Sequence, residues 1–340
     1  MMTLLVISVI TALIFDLVNG FHDAANSIAT VVSTRVLRPF QAVLWAAFFN
    51  FIAMFIFAPH VAETLSKIVI IQPNEITYVY LVFSGLLGAI IWDIVTWWLG
   101  LPTSSSHALI GGMAGAGIMC GGWEALHWEI LFVTMIFIVL APCIGFFIGI
   151  FLELIFSWLV RRQKPLEVDS WFRRAQLLSA GLYSIGHGAN DAQKTMGIIM
   201  ALLVAAGALH PQAELSLYNQ NTMWIILSCQ LMMAIGTAFG GWRIIRTMGM
   251  RITKLKPIGG FCAETAGATT LFMATCWGIP VSTTHTITGA IMGVGSLGSK
   301  VSAVRWGVAT RILWAWILTI PAAASIAALT YYIIVKMPGF

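Results

Sequence analysis

The chain contains 340 residues, of which 59% are hydrophobic and only 9% are charged, whereas soluble globular domains carry about 25% charged residues. This balance excludes a soluble globular protein, because too few polar side chains are present to cover its surface. The net charge is +5, but the basic residues are divided among several loops, which excludes a single nucleic-acid-binding patch.

Bands of about 20 apolar residues recur along the chain, the length that a helix needs to cross a bilayer. The bands are continuously apolar, which favours helices over the alternating strands of a membrane barrel. The sequence therefore predicts an all-α polytopic membrane protein. The loop charges do not decide whether two pairs of bands, the third with the fourth and the eighth with the ninth, span the membrane fully or partly re-enter it. Both choices return the chain to the same side of the membrane. The ten bands lie near 3–22, 41–58, 77–99, 102–120, 130–160, 176–207, 222–241, 258–277, 280–298 and 312–335.

The loops between the bands differ in charge. Basic residues are concentrated at 35–38, 161–174, 243–256 and 300–311, whereas the intervening loops lean acidic. The positive-inside rule assigns the basic loops to the cytoplasm, so both termini are predicted to face outward. Short loops and the lack of a targeting segment favour a bacterial inner (plasma) membrane.

The basic stretch "RRQKPLEVDSWFRR" divides the chain into two halves of five bands each. The predicted units are an N-terminal repeat at 1–160, a cytoplasmic linker at 161–175 and a C-terminal repeat at 176–340. Because five is odd, corresponding bands cross in opposite directions. Two inverted-topology repeats with broken or re-entrant helices at the centre are therefore predicted, an arrangement that many secondary transporters share.

Each half contains a hydroxyl-rich motif, "GLPTSSSHALIGGMAGAG" from Gly100 and "GIPVSTTHTITGAIMGVG" from Gly278. Pro102 and Pro280 suit the first position of a helix, which would place the hydroxyl groups in the first turn. Free backbone N–H groups and the helix dipole make such a turn an anion site, and neutral donors bind an oxyanion without a fixed cation. The predicted oxyanion ligands are Thr103, Ser104, Ser105, Ser106, Ser282, Thr283 and Thr284.

Two other features of these motifs have competing interpretations. His107 and His285 could donate to the substrate, relay a proton or only bond a neighbouring carbonyl. The Ser, Thr and Gly residues could instead serve only to let helices approach closely. Binding is favoured for the Ser/Thr triplets, and packing is favoured for the glycines that recur four residues apart, which are Gly111, Gly115, Gly289 and Gly293.

An acidic motif precedes the hydroxyl motif in each half, "GFHDAANSIAT" from Gly20 and "GANDAQKTMGI" from Gly188. A carboxylate at membrane depth is expensive, about 2.5–3.5 kcal/mol on insertion scales, so it is expected to serve a purpose. Carboxylate and amide oxygens suit a hard cation, and glycines at 20, 186 and 188 would permit local unwinding. Asp residues that only cap a broken helix are the alternative. The predicted cation ligands, for sodium if sodium is the coupling ion, are Asp23, Asn26, Asn190 and Asp191.

Together, "GFHDAANS", "GANDAQKT" and the two P-x-S-[ST]-[ST]-H elements resemble the inorganic phosphate transporter (PiT) family of secondary carriers over essentially the whole chain. The resemblance implies a cation-coupled phosphate symporter with an inverted-repeat helical fold. The chain departs from the family pattern at His22 and Lys194, where Asn is usual. An ammonium at 194 would occupy or repel a cation site, in contact with Asp191, which suggests protons in place of sodium; a Lys that snorkels to the surface is the alternative.

The sequence thus predicts a proton- or sodium-driven symporter of inorganic phosphate that works by alternating access in the lipid bilayer. It is expected to need no cofactor beyond the co-transported cation, and the sequence leaves open whether the protein forms a homo-oligomer. Sulfate or another tetrahedral oxyanion is the alternative substrate, because neutral donors distinguish the two poorly. A channel, or a membrane enzyme using Ser and His, is the alternative from another class. Such an enzyme would need one asymmetric set of groups, which the duplication argues against. Two further intramembrane acids, Asp93 and Glu264, are candidates for proton relay or packing pairs. A third, Asp16, lies before Gly20 on the same band and could belong to the same site as Asp23.

Overall fold

In a computed structural model, residues 2–70, 76–297 and 304–336 are described, and Lys300 of the last basic loop lies outside them. Apart from one isolated bridge between Val69 and Leu126, the regular structure of the described residues is helical, which confirms the predicted all-α class. The helices are α1 Met2–Ser33, α2 Pro39–Ile52, α3 His60–Leu65, α4 Ile76–Leu99, α5 Ser105–Gly121, α6 Trp128–Leu159, α7 Pro165–Ala205, α8 Met223–Phe239, α9 Trp242–Arg246, α10 Pro257–Cys276, α11 Thr283–Ser296 and α12 Trp306–Lys336.

Four helices in the described part of the chain, α1, α4, α6 and α12, are long and apolar enough to cross a membrane. A fifth span forms if α8 is joined to Trp242–Arg251, from which it is bent by 58°. The other predicted crossings fall on helices that are shorter or more polar. At about 1.5 Å per residue, α5 and α11 cover less than the 30 Å of a bilayer core, which suits re-entrant segments.

The breaks in the helices do not lie where the sequence suggested. The prediction of local unwinding near Gly20, Gly186 and Gly188 is wrong, because α1 and α7 run through these positions without interruption. The glycines instead allow close packing, since a Cβ atom at Gly20 would collide with the Met233 carbonyl and one at Gly188 with that of Asn50. The chain breaks after α2 and after α8.

The glycines spaced by four are confirmed as packing residues. A Cβ atom at Gly111 would lie 2.7 Å from the Ile320 carbonyl oxygen, and one at Gly289 would collide with the Pro142 carbonyl. Helix α5 therefore packs closely on α12, and α11 on α6. Each hydroxyl-rich helix thus packs against the last long helix of the other half.

Other helices also pack against helices of the opposite half. Helix α1 packs on α8 and α7 packs on α2, while α4 contacts α12 and α10 contacts α6. Helix α7 begins at Pro165, so most of the predicted linker 161–175 forms its first turns. The two halves are therefore interleaved, with α1 and α7 in contact at the centre.

The extended segments before α5 and α11 have matching geometry. Gly100 and Gly278 both have φ of +67°, a left-handed conformation that side chains rarely adopt. The Thr247 hydroxyl donates to the Gly100 carbonyl at 2.9 Å, and the Thr64 hydroxyl donates to the Gly278 carbonyl at 2.8 Å. The turn at Gly100 is therefore held by a threonine that follows the break between α8 and α9. The turn at Gly278 is held by one that follows the break between α2 and α3.

Candidate functional site

The predicted site residues come together where α1 and α7 meet the starts of α5 and α11. Each of the fifteen predicted residues is at most 2% exposed, so the site is occluded. One ligand atom each from Asp23, His187 and Asp191 lies within 4.8 Å of the other two. Both halves therefore contribute a carboxylate to one buried cluster.

The two hydroxyl motifs begin their helices in the same way. Ser104 and Ser282 are the N-cap residues, and each side-chain oxygen accepts from the backbone N–H of the histidine three residues later, at 3.2 Å. The prediction that Pro102 and Pro280 are the first helical residues is therefore wrong. Each proline precedes its N-cap serine by two positions. The reason is that the serine oxygens satisfy the free N–H groups, so the helix begins after them.

The first turn of α11 connects the acidic residues of both halves. The Thr283 hydroxyl donates to Asp191 Oδ2 at 3.0 Å, and the Thr284 hydroxyl donates to Asp23 Oδ2 at 3.3 Å. Asn26 Nδ2 donates to the Thr284 hydroxyl at 2.9 Å. Two adjacent hydroxyl groups thus contact carboxylates from different halves.

The first turn of α5 makes looser contact with the same cluster. Ser105 Oγ lies 3.5 Å from Asp23 Oδ1, while Ser106 Oγ accepts from the Lys194 ammonium at 2.5 Å. Thr103 lies further back, where its hydroxyl donates to that of Thr96 at 2.9 Å. Ser105 and Ser106 therefore face the acidic cluster directly, and Thr103 supports the segment before them.

Lys194 does not reach the surface, because it is 1% exposed; the snorkelling alternative is wrong. Its ammonium donates to Asp191 Oδ1 at 2.6 Å, to Ser106 Oγ and to the Val281 carbonyl at 2.9 Å. An ammonium has three N–H donors, and all three are used. The group is thus surrounded by a carboxylate, a hydroxyl and a carbonyl oxygen, which are also the ligand types of a hard cation.

His22 contacts the acidic cluster from the first half. Its Nδ1 atom lies 2.7 Å from Asp23 Oδ1, and its Nε2 atom lies 3.1 Å from the Thr96 hydroxyl. The imidazole therefore connects Asp23 on α1 to the end of α4.

The histidines that follow the hydroxyl triplets have different surroundings. The rings of His107 and His285 lie 4.6 Å apart edge to face, and His285 also stacks on Trp316 at 3.7 Å. His285 Nδ1 lies 3.4 Å from the Ile138 carbonyl oxygen. These contacts place the first turns of α5 and α11 side by side.

Two amide oxygens near the carboxylates are open for a ligand. Asn26 Oδ1 and Asn190 Oδ1 are buried and accept no hydrogen bond from any described residue. Asn190 Nδ2 donates at 3.2 Å to the Thr275 hydroxyl, which fixes the amide. Buried acceptors without a donor are unfavourable, and a hard cation would satisfy them together with a carboxylate.

Sequence reasoning missed two members of the cluster. His187 Nε2 lies 3.2 Å from Asp191 Oδ2, and the His187 Nδ1 atom lies 3.2 Å from Asn50 Oδ1. Spacing could have revealed His187, because it lies four residues before Asp191 on one face of a helix. Thr96 had no such signal, since α4 reads as an ordinary apolar band.

Two of the three further acids lie in separate hydrogen-bonded clusters. Glu264 accepts at 2.5 Å from the Thr30 and Ser179 hydroxyls and at 2.9 Å from the Gln176 amide. Asp16 accepts from the Thr195 hydroxyl at 2.6 Å. For Glu264, the packing-pair interpretation matches the observed contacts; Asp16 bonds α7 one residue after Lys194.

Apolar spans around an occluded polar centre, to which both halves contribute acids and hydroxyl donors, define a helical membrane transport protein. The comparisons with known proteins give the particular family. Residues 19–327 match the phosphate transporter family, and the chain belongs to this family. It is therefore a transport protein and not an enzyme.

Relatives of similar length support this assignment. The chain is 57% identical to a probable low-affinity inorganic phosphate transporter of Rhizobium meliloti, with 97% of this chain and 96% of the relative covered. It is 40% identical to the probable low-affinity inorganic phosphate transporter of Bacillus subtilis, with 98% of each covered. A solved structure described as the sodium-dependent phosphate transporter matches with a TM-score of 0.83 and 26% identity, covering 99% of this chain and 100% of that one.

Proposed function

We propose that the protein is a cation-coupled symporter of inorganic phosphate that works by alternating access in a bacterial inner membrane. The observation that carries the proposal is the meeting of the α5 and α11 first turns beside Asp23 and Asp191. Hydroxyl and backbone donors at two helix N-termini suit a tetrahedral oxyanion. Family membership and the printed names of the relatives favour phosphate as that oxyanion.

The cation is needed because phosphate is present near neutral pH as its singly and doubly charged anions, and the site already holds two carboxylates. Asp23, with the open amide oxygens of Asn26 and Asn190, would hold a cation next to the anion. A hard cation takes such oxygen ligands and would offset the charge. Phosphate and cation would then cross together.

Lys194 limits the number of sodium ions that can couple to uptake. Its ammonium fills the place on Asp191 where a second sodium ion would otherwise be held, so this chain would bind fewer sodium ions than a transporter with an amide there. Sodium at the Asp23 side, or a proton in its place, would then drive uptake. The sodium-dependent structural neighbour supports sodium, and the fixed ammonium supports the proton.

The inverted arrangement of the halves provides the alternating access. The segment before α5 contacts Arg243 on α9, within the basic stretch 243–256, whereas the segment before α11 contacts His60 at the start of α3, in a stretch that is not basic. If basic loops are cytoplasmic, the two hydroxyl segments enter the site from opposite sides of the membrane. Repeats 1–160 and 176–340 would then open the site alternately.

Sulfate is the alternative substrate. Protonated phosphate donates a hydrogen bond and sulfate does not, so a carboxylate acceptor beside the hydroxyl donors favours phosphate. Asp23 Oδ2 and Asp191 Oδ2, which now accept from Thr284 and Thr283, are in that position. Excess sulfate should therefore compete weakly with labelled phosphate.

The test is phosphate uptake into proteoliposomes in which sodium and pH gradients are imposed separately. Accumulation of phosphate driven by either gradient, against its own gradient, would support a symporter. A flux that only equalises the concentrations under both gradients would contradict it.

A further inference from the structure

Asp93 is a buried carboxyl group to which the site gives no role so far. It lies on α4 and is 0% exposed. Neither of its oxygens accepts a hydrogen bond from any residue that the structure describes. An ionised carboxylate in such surroundings is strongly unfavourable. The neutral acid is the form that these surroundings accommodate.

This isolation distinguishes Asp93 from the other acids of the interior. Glu264 accepts three hydrogen bonds, Asp16 accepts one, and Asp23 and Asp191 belong to the central cluster. Within the described ranges, Asp93 is the one carboxyl group whose two oxygens are both buried and unpartnered. A group that only stabilised the fold would be expected to have partners.

Asp93 also lies beside the site on its α4 side. One turn further along α4, the Thr96 hydroxyl bonds His22 and Thr103. The groups on α1, α5 and α7 that act electrostatically on Asp93 are His22, Asp23, Asp191 and the Ser105 hydroxyl, which is not placed to complete a hydrogen bond with it.

The remaining helices packed against α4, which are α9 and α12, contribute few charged groups at this contact. From α9, Arg243 donates to the Trp98 carbonyl at 2.6 Å and lies 5.4 Å from the Trp97 ring centre. From α12, Ala323 and Ala327 pack against Gly88. Gain or loss of a proton on Asp93 therefore changes the electrostatic potential mainly at the substrate site.

We propose that Asp93 carries the coupling proton, an inference that rests on the proposed symport of phosphate. Its carboxylate takes a proton from water on the side where phosphate enters. The neutral acid crosses the occluded state without a partner, as the geometry allows. The proton passes to water on the other side when the site opens there, and the carboxylate is restored.

The test compares Asp93→Asn with Ser84→Ala, a control at another buried polar residue of α4 whose hydroxyl bonds only the Tyr80 carbonyl. Asn keeps the size of the side chain and mimics the neutral acid. We expect Asp93→Asn to lose phosphate accumulation driven by a pH gradient but to keep exchange of labelled for unlabelled phosphate, since exchange needs no net proton movement. The control should keep both activities.

Two results would overturn the proposal. One is pH-driven accumulation by Asp93→Asn at the level of the unsubstituted protein; the other is loss of exchange together with accumulation, which would show a structural role. Failure of the unsubstituted protein to exchange phosphate at all would instead contradict the proposed function. Purely sodium-driven uptake by that protein would reject the proton role of Asp93 and leave phosphate symport standing.

A labelling experiment on the unsubstituted protein decides the question if Asp93→Asn does not fold. Dicyclohexylcarbodiimide is apolar and adds to protonated carboxyl groups within membranes. We expect mass spectrometry to find the adduct on Asp93, in an amount that falls as the pH is raised. Labelling that is absent, or that does not change with pH, would show that Asp93 does not exchange a proton.

Discussion

At the scale of single residues, Thr284 connects the two halves directly within the site. Its hydroxyl donates to Asp23 and accepts from Asn26, both on the helix of the other half. In the proposed cycle this hydroxyl turns from the carboxylate to the phosphate. Its loss should therefore weaken substrate binding more than folding.

We expect Thr284→Val to weaken the apparent phosphate affinity by about tenfold or more, because a hydrogen bond to a charged group contributes about 1.5–3 kcal/mol. Concentration-dependent uptake measures the effect. Thr286→Val is the matched control, since the Thr286 hydroxyl bonds only the Ser282 carbonyl, at 2.8 Å on the same helix. An equal loss in both variants would contradict a specific role for Thr284.

The Lys194 ammonium leads to a second prediction. Lys194→Asn leaves Asp191 without its cation, which is strongly unfavourable for a buried charge, so a sodium ion should take the vacated place. Phosphate uptake by the variant should then rise with sodium concentration more steeply than that of the unsubstituted protein. Lys164→Asn, at a residue 84% exposed, is the control. An unchanged sodium dependence would show that the ammonium does not replace an ion.

At the scale of helices, the close contacts of α5 and α11 fix the positions of their first turns. We expect Gly289→Ala to lower the free energy of unfolding by about 1–3 kcal/mol, because the added methyl group collides with the α6 backbone. Gly307→Ala on α12 is the control, since its Cβ atom would meet nothing within 4 Å. Thermal unfolding in detergent measures both; equal melting temperatures would contradict the packing role.

The sequence predicted the helical class, the packing glycines and most members of the central cluster. Repetition made this possible, since two copies of each motif marked the residues before any contact was known. It could not place the helix breaks, because whether a glycine unwinds a helix or packs against a neighbour depends on the facing helix. Gly20 and Gly188 pack against α8 and α2, and those partner helices break instead.

Asp93 and His187 show the same limit within the site. The repeat gives neither of them a counterpart of the same type, so duplication could not identify them. Only the folded arrangement shows that Asp93 lacks partners and that His187 lies next to Asp191.

At the scale of the whole molecule, the proposed inversion predicts opposite sides for two exposed residues. In a variant without native cysteines, Cys introduced at His60 should react with an impermeant maleimide from outside the cell. Cys introduced at Arg243 should react only after the membrane is made permeable. Reaction of both positions from the same side would contradict the inverted repeat.

The occluded site explains why the molecule must change shape to work. Its polar side chains are at most 2% exposed, so phosphate cannot enter without a movement of the segments before α5 or α11. The Thr64 and Thr247 hydroxyls hold these segments in the occluded arrangement. In the proposed cycle, each contact would have to break when its segment moves.

In the proposed site, uncharged donors from both halves converge on one oxyanion, with carboxylates beside it. A density map of the protein with bound phosphate tests it most directly. We expect a tetrahedral peak within hydrogen-bonding distance of Ser105 or Ser106 on α5 and of Thr283 or Thr284 on α11. Phosphate bound by one half alone, or away from both first turns, would contradict it.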